Sequence, residues 1–302
     1  INGSDGKPAI GPAYPLLARD RVRHVGDAVA LVVAETLERA RDAAEVVEVS
    51  YDQLPAVSDV VSASADNAPL VWDEAPGNLC VDWETGDSAA VKAAFAKAAK
   101  VAELSLVNNR IIVNSIEPRG AIAAYDASNG TYTLHVSTQG PHGVRDVLCG
   151  ILNADPASMR VVSPDVGGGF GMKIFPYREH ALVAWAAKRL GRPVKWIGER
   201  TESFVSDTQG RDHRSTARMA LDSDGRFLAL SVDTKADLGA YLSLYGPAIP
   251  TVAGSGMLAG LYTTPAIHVR VRCYFTNTLP VDAYRGAGRP EAAYLVERLV
   301  DE

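Results

Sequence analysis

Residues 167–171 read Gly-Gly-Gly-Phe-Gly, between an apolar strand-like run at 159–162 and a helix-like run that begins near Arg178. Four glycines in five positions exceed what a turn needs, because each costs roughly 0.5–1 kcal/mol of backbone entropy. Backbone that bare marks a tight reversal or a close approach to something. A strand, then glycines, then a helix is the setting of two phosphate-binding loops, and both fail letter by letter. A P-loop needs Lys and then Ser or Thr after its last glycine. Here Met172 comes before Lys173, and Ile174 stands where the hydroxyl belongs. The dinucleotide fingerprint, started at Gly167, requires glycine at the position of Met172. Two readings stay open: a strand-to-helix turn, or N–H donors walled by Phe170 and suited to an anionic or oxo ligand.

Two other segments share this character. "DAYRGAGRPE" (282–291) sets Arg285 and Arg289 among two glycines and an alanine, ahead of a helix with Pro290 at its first position. Backbone donors at a helix start plus guanidinium forks suit an anion or oxo group, and a capping surface loop fits equally well. In "HVSTQGPH" (135–142), Gln139 ends a strand before a helix, either as a turn residue or as a ligand-facing amide.

The remaining sequence sets bounds. A chain of 302 residues, 47% hydrophobic, can bury the core of one large domain or two smaller ones. A net charge of −6 without any Lys/Arg cluster excludes a nucleic-acid surface. No apolar run is long enough to span a membrane and the first residues carry no signal-peptide profile, so no membrane partner is expected. Cys80, Cys149 and Cys273 are scattered without C-x-x-C spacing, which excludes a local zinc or iron–sulfur site and points to a reducing, cytoplasmic compartment.

Periodicity predicts a buried strand over 27–35, then a helix over 36–47 with Leu37, Ala40, Ala43, Ala44 and Val47 on one face, then extended chain at 48–54. Residues 55–80 look irregular. Beyond them the patterns predict a helix capped by Asp87, a strand in 101–112 and a hairpin turning at Asn129–Gly130. A helix from Pro141, a helix closing at Gly191, a hairpin of 213–221 with 226–237 and a final helix follow. The mixture is α+β.

Several segments, in order, resemble the molybdenum-binding large subunit of the xanthine dehydrogenase, aldehyde oxidase and carbon-monoxide dehydrogenase family, the molybdenum hydroxylases. They are "RHVGDAVALVVAETLERARDAAEVVEVSYDQLPAV", "EPRGAIAAYD", "STQGPHGVRDVL", "DVGGGFGMK", "GRPVKWIGERTESF", "DLGAY" and "DAYRGAGRPEAAYLVERLVDE". The resemblance implies an α/β hammerhead lobe over 1–62, truncated at its N-terminus, a linker over 63–86, and a mixed α+β first molybdopterin-binding domain over 87–302. The second molybdopterin-binding domain would be absent.

Carried over residue by residue, Gln139 would donate its amide to the apical oxo ligand of molybdenum. Gly168, Gly169, Phe170 and Gly171 would lie against the metal centre and the pterin dithiolene. Arg285 would offset negative charge developing on substrate, with Gly286 and Ala287 lining the same pocket. The metal itself would be held by the pterin sulfurs and by no side chain of the protein. The cofactor would be molybdopterin, in its cytosine dinucleotide form, in the complete enzyme and absent from the isolated chain. FAD on a medium subunit and 2Fe-2S on an iron–sulfur small subunit would be partners, alongside the missing domain and a small-molecule substrate.

Two departures narrow this. Family carbon-monoxide dehydrogenases carry Cys for copper where Gly286 stands, and xanthine-oxidising members carry Glu where Ile174 stands. The implied activity is therefore hydroxylation of an aldehyde or N-heterocyclic C–H with oxygen from water. The family's general base, a Glu in a Gly-rich segment, has no counterpart here. Glu117 and Glu291 are explained by hydrogen bonding in the E-P element and by the helix dipole. A fragment or split subunit, inactive alone, is expected. The other class of reading is a non-catalytic binding or assembly module of the same fold.

Overall fold

The hairpin predicted for 213–221 and 226–237 becomes the centre of a five-stranded sheet. Its order is Leu79–Gly86, Ala266–Tyr274, Phe227–Asp237, His213–Leu221, Lys100–Asn108. Neighbours run antiparallel except Ala266–Tyr274 and Phe227–Asp237, which run parallel. Alternation along the strands gives the sheet two buried faces. Met219, Leu230 and Val232 meet the helix Arg289–Asp301 through Ala292, Leu295, Val296 and Leu299, spaced for one helical face. Ala220 and Ala229, one residue out of phase, meet Val91 of the helix Ser88–Phe95. Asp87 caps that helix as expected, accepting from Ala90 N at 2.8 Å.

The computed structural model describes residues 1–302, in two units. The five-stranded unit contains Ile1–Ala13, Ala56–Val113 and Thr208–Glu302; the second contains Tyr14–Pro55 and Asn114–Asp207. The second unit has a four-stranded sheet, ordered Met159–Val162, Thr131–Val136, Gly120–Asp126, Val194–Ile197. The helices Pro141–Leu152 and Arg178–Leu190 pack on it through Val144, Leu148, Ala181, Ala184 and Ala187. Gly191 closes the second of them in the left-handed region. The mixture is α+β, and no helix is long and apolar enough to cross a membrane.

Three expectations are corrected. The runs 27–35 and 48–54 form no strand, and the helix Leu37–Glu45 between them buries none of its residues. Apolar patterning reports a need for burial, but a strand also needs a partner edge for its N–H and C=O groups, and here only Leu31 reaches the core of its unit. Residues 63–86 are packed rather than a linker. Trp72 donates to Ala240 O at 2.6 Å, and Asn78 ties three backbone groups, of Ala63, Pro69 and Val71. The exposed Pro and Asp residues of this packed segment lie in turns at its surface, and Asn78 is buried within it. The last helix begins at Arg289, so Pro290 is its second residue.

Asp237, at the end of the central strand, is buried and accepts from Gly239 N and Thr276 Oγ1 at 2.7 Å each, with Arg110 at 3.3 Å. Burial, only partly countered by Arg110, pushes its carboxyl up to about 6. The folded state therefore holds a proton that the unfolded chain has released, so this group's stabilisation falls as pH rises from about 4 to about 6. Asp237→Asn should remove that slope. Urea unfolding of both proteins should show a stability difference changing by about 2–3 kcal/mol across the window; a constant difference would mean that Asp237 is ionised throughout.

Candidate functional site

The glycine loop hangs from the strand end at 137–139. Thr138 Oγ1 and Gln139 N both donate to Lys173 O at 2.8 Å, which clips the loop's far end onto the sheet. Gln139 Oε1 then accepts from Gly171 N at 2.9 Å. A backbone N–H can only donate, so this bond assigns Oε1 to the loop and leaves Nε2 to donate elsewhere. A Cβ on Gly169 would lie 2.4 Å from Gln139 Oε1, so the amide occupies the space of a missing side chain. Phe170 is exposed and holds φ at 52°, a region costly for an aromatic residue, between Gly168 at 97° and Gly171 at 105°.

Beneath the loop, Lys173 is buried with all three ammonium protons committed. They go to Glu117 O at 2.8 Å, Glu117 Oε2 at 2.9 Å and Ser137 Oγ at 2.9 Å. Glu117 Oε2 also accepts from Ser137 Oγ at 2.6 Å and Gly167 N at 2.7 Å. Burial pushes the Glu117 carboxyl upward, but these donors outweigh it and hold it below the usual range. Lys173 is thus a strut under the glycines, not a phosphate-reaching lysine.

The second loop lies in the five-stranded unit. Arg285 and Gly286 are exposed and Ala287 half-buried. Gly286, Ala287 and Gly288 hold φ at 97°, 42° and 88°. At Gly288 a Cβ would meet Ile249 O at 2.3 Å, on a π-helical turn, Ile249–Ala253. Ala287 N donates back to Tyr284 O at 2.7 Å.

Gln139 and 168–171 thus form one cluster in the second unit, and 285–287 form another in the first. Glu291, expected as a helix-dipole partner, does lie in the first helical turn, but it is buried and paired with Arg211 at 2.9 Å. Arg211, Arg119 and the supporting role of Lys173 were not legible in the sequence; their only trace is charge inside otherwise apolar or glycine-bearing stretches.

Each cluster pairs bare backbone with a residue held at positive φ, Phe170 in one and Ala287 in the other. A family model described as molybdopterin cofactor-binding domain matches residues 71–302, and one described as aldehyde oxidase and xanthine dehydrogenase, a/b hammerhead domain, matches residues 3–55. The chain is 34% identical over 308 residues to the carbon monoxide dehydrogenase large chain of Hydrogenophaga pseudoflava, covering 96% of this chain and 38% of that one. It is 32% identical to the 6-hydroxypseudooxynicotine dehydrogenase complex subunit gamma of Paenarthrobacter nicotinovorans, over 96% of this chain and 36% of that one. The solved structure of reconstituted CO dehydrogenase from Oligotropha carboxidovorans superposes with a TM-score of 0.90 at 30% identity, over 97% of this chain and 38% of that one. The chain spans under two fifths of the length of these relatives.

Gly169→Ala should displace the Gln139 amide and release Gly171 N. The expected loss is about 1–3 kcal/mol, as for overpacking elsewhere. Hydrogen exchange at the Gly171 amide should accelerate in the variant; unchanged protection would show that the amide does not lie on Gly169.

Proposed function

The chain belongs to the molybdopterin cofactor-binding domain family of molybdenum hydroxylase large subunits, and from that footing we propose that it supplies cofactor-binding and substrate-polarising loops to an enzyme hydroxylating an aldehyde or N-heterocyclic C–H with oxygen from water. The observation that carries this is the exposed Gln139 amide, whose Oε1 is held by Gly171 N–H so that Nε2 remains to donate to a ligand.

Bound molybdopterin supplies the redox centre for two-electron oxidation of the substrate. The protein's own residues bind and orient. Gln139 Nε2 would donate to an acceptor of the bound cofactor. Gly168, Gly169 and Gly171 let backbone come close, and Phe170 serves as a wall against the cofactor. Arg285 offers a guanidinium to negative charge developing on substrate, with the backbone of Gly286 and Ala287 beside it. Ile174 cannot hydrogen-bond a purine, and Gly286 offers no sulfur to hold copper, so neither xanthine nor carbon monoxide is the proposed substrate.

Glu117 is bound to Lys173 and Glu291 to Arg211, and the Gly-rich segment that carries the family's base has no counterpart in this sequence. We therefore place the base outside these 302 residues and expect the isolated chain to be inactive. The hammerhead domain matched over residues 3–55 and the molybdopterin cofactor-binding domain matched over 71–302 would meet a second molybdopterin-binding domain, an iron–sulfur subunit and an FAD subunit. A cytosine dinucleotide form of the cofactor and a cytoplasmic setting complete the proposal; the three cysteines are free and buried.

The reaction is tested by turning over aldehyde and N-heterocycle panels in 18O-water with the assembled enzyme. Product carrying the label supports the reading, and unlabelled product overturns it. In that enzyme Arg285→Lys should cut turnover by about a hundredfold, the equivalent of a lost transition-state donor worth about 3 kcal/mol, while molybdenum content stays near wild type. Equal losses in both would make Arg285 a cofactor anchor instead.

Gln139→Glu should retain less molybdenum than Gln139→Ala, because a carboxylate removes the donor and adds like-sign repulsion. Elemental analysis decides between them. A Glu variant as well loaded as wild type would show that residue 139 does not face the metal.

A further inference from the structure

Arg211 and Asp212 hold φ at 69° and 68°, two successive left-handed residues that are not glycine. Such strain persists only where surroundings over-determine it. The Arg211 guanidinium is buried and reaches into the second loop. Its Nη1 donates to Tyr284 O at 3.0 Å and Glu291 Oε1 at 2.9 Å, its Nη2 donates to Arg285 O at 3.0 Å, and its Cζ lies 4.8 Å from the Tyr284 ring centre. One cation thus grips two successive carbonyls of the loop.

The peptide plane turns that grip into an orientation. The structure holds no cis peptide bonds, and in a trans peptide C=O and N–H point in opposite directions. Fixing Arg285 O inward on Arg211 therefore turns the Gly286 N–H outward, at a position that is exposed. Glu291 braces the cation from the far side. Its second oxygen, Oε2, has no hydrogen-bond partner, and it borders a cavity of about 30 Å³ with His213, Ser215 and Thr234. A buried pair with one oxygen unsatisfied is a poor device for stability alone, but a good one for holding a fork in a fixed direction.

We propose that Arg211, braced by Glu291, is the positioning residue of the Arg285 loop: it fixes the Arg285–Gly286 peptide so that the Gly286 N–H faces an anionic or oxo ligand. This rests on the reading of that loop as ligand-facing, but its first test needs no ligand. The Arg285–Gly286 bond is a trypsin site whose scissile carbonyl is the one Arg211 holds. The Arg226–Phe227 bond, in the exposed turn after His213–Leu221, is an internal reference.

In the full 302-residue chain, Arg211→Lys and Glu291→Leu should speed cleavage at Arg285–Gly286 about tenfold or more relative to Arg226–Phe227, as expected when charged hydrogen bonds to a local opening unit are lost. Glu291→Gln, which keeps an acceptor for Arg211, should stay close to wild type. Parallel acceleration at both bonds, or none at either, would overturn the proposal. In the assembled enzyme, Arg211→Lys should lower kcat at unchanged KM and molybdenum content. A loop that opens selectively without any loss of kcat would uphold the positioning role and instead defeat the assignment of Arg285 to the reaction.

Discussion

The glycine loop depends on two cations buried at Glu117-Pro118-Arg119. Lys173 sits on Glu117, and Arg119 is enclosed by Asp207 at 2.5 Å, Glu179 at 2.9 Å and the Tyr177 ring at 3.7 Å from its Cζ. Burial disfavours the Arg119 charge, and Glu179 and Asp207 outweigh that and raise its affinity for the proton. Burial likewise raises Glu179, and Arg119 more than reverses it. Removing one partner of such a pair typically costs about 3–5 kcal/mol, because the other charge is left without compensation. Pro118 makes the tripeptide stiff by fixing its own φ and restricting Glu117. Glycine loop, the strand end at Ser137 and the helices Arg178–Leu190 and Arg200–Ser206 are thereby referred to one short rigid segment.

Strain in the backbone is distributed in a way that follows these anchors. Eight residues other than glycine hold positive φ, and four of them are asparagines, which tolerate it. The rest are Phe170 and Ala287, one in each candidate loop, and the pair Arg211–Asp212 that grips the second loop. At about 1–3 kcal/mol each, they need rigid surroundings. Phe170 has the Lys173 strut and the Gln139 amide; Ala287 has the Gly288 contact with Ile249 and the Arg211 fork. The two candidate loops are those where local conformation is overruled by tertiary bonds.

That explains what could be read in advance. The Asp87 cap, the Asn129–Gly130 turn, the Gly191 stop and the hairpin into Phe227–Asp237 are local events, signalled by residues within a few positions of the effect. The strand expected at 27–35 failed because pairing needs an edge that no local pattern names. Asn78 hid inside an apparent linker because its three partners lie 7 to 15 residues away. The insertion of Ala266–Tyr274 between Leu79–Gly86 and Phe227–Asp237 is invisible to periodicity for the same reason. At the candidate site the glycines, Gln139 and Arg285 stood out by composition. Arg211, 74 residues from the carbonyl of Arg285 that it holds, did not.

The accounting of charge around the loops defines what chemistry they can do. The chain carries six more carboxylates than Lys and Arg side chains, and two of those beside the loops are bound: Glu117 by Lys173, Ser137 and Gly167, and Glu291 by Arg211. The several donors on Glu117 stabilise its ionised form and make it a weak base. The donors that each loop offers, taken unit by unit, are the Gln139 amide in one and the Gly286 N–H with the exposed Arg285 in the other. Such a set can hold and polarise an electron-rich group but cannot withdraw a proton from it. Under the proposed function, orientation and electrostatic stabilisation fall to these donors, and proton transfer falls to another group.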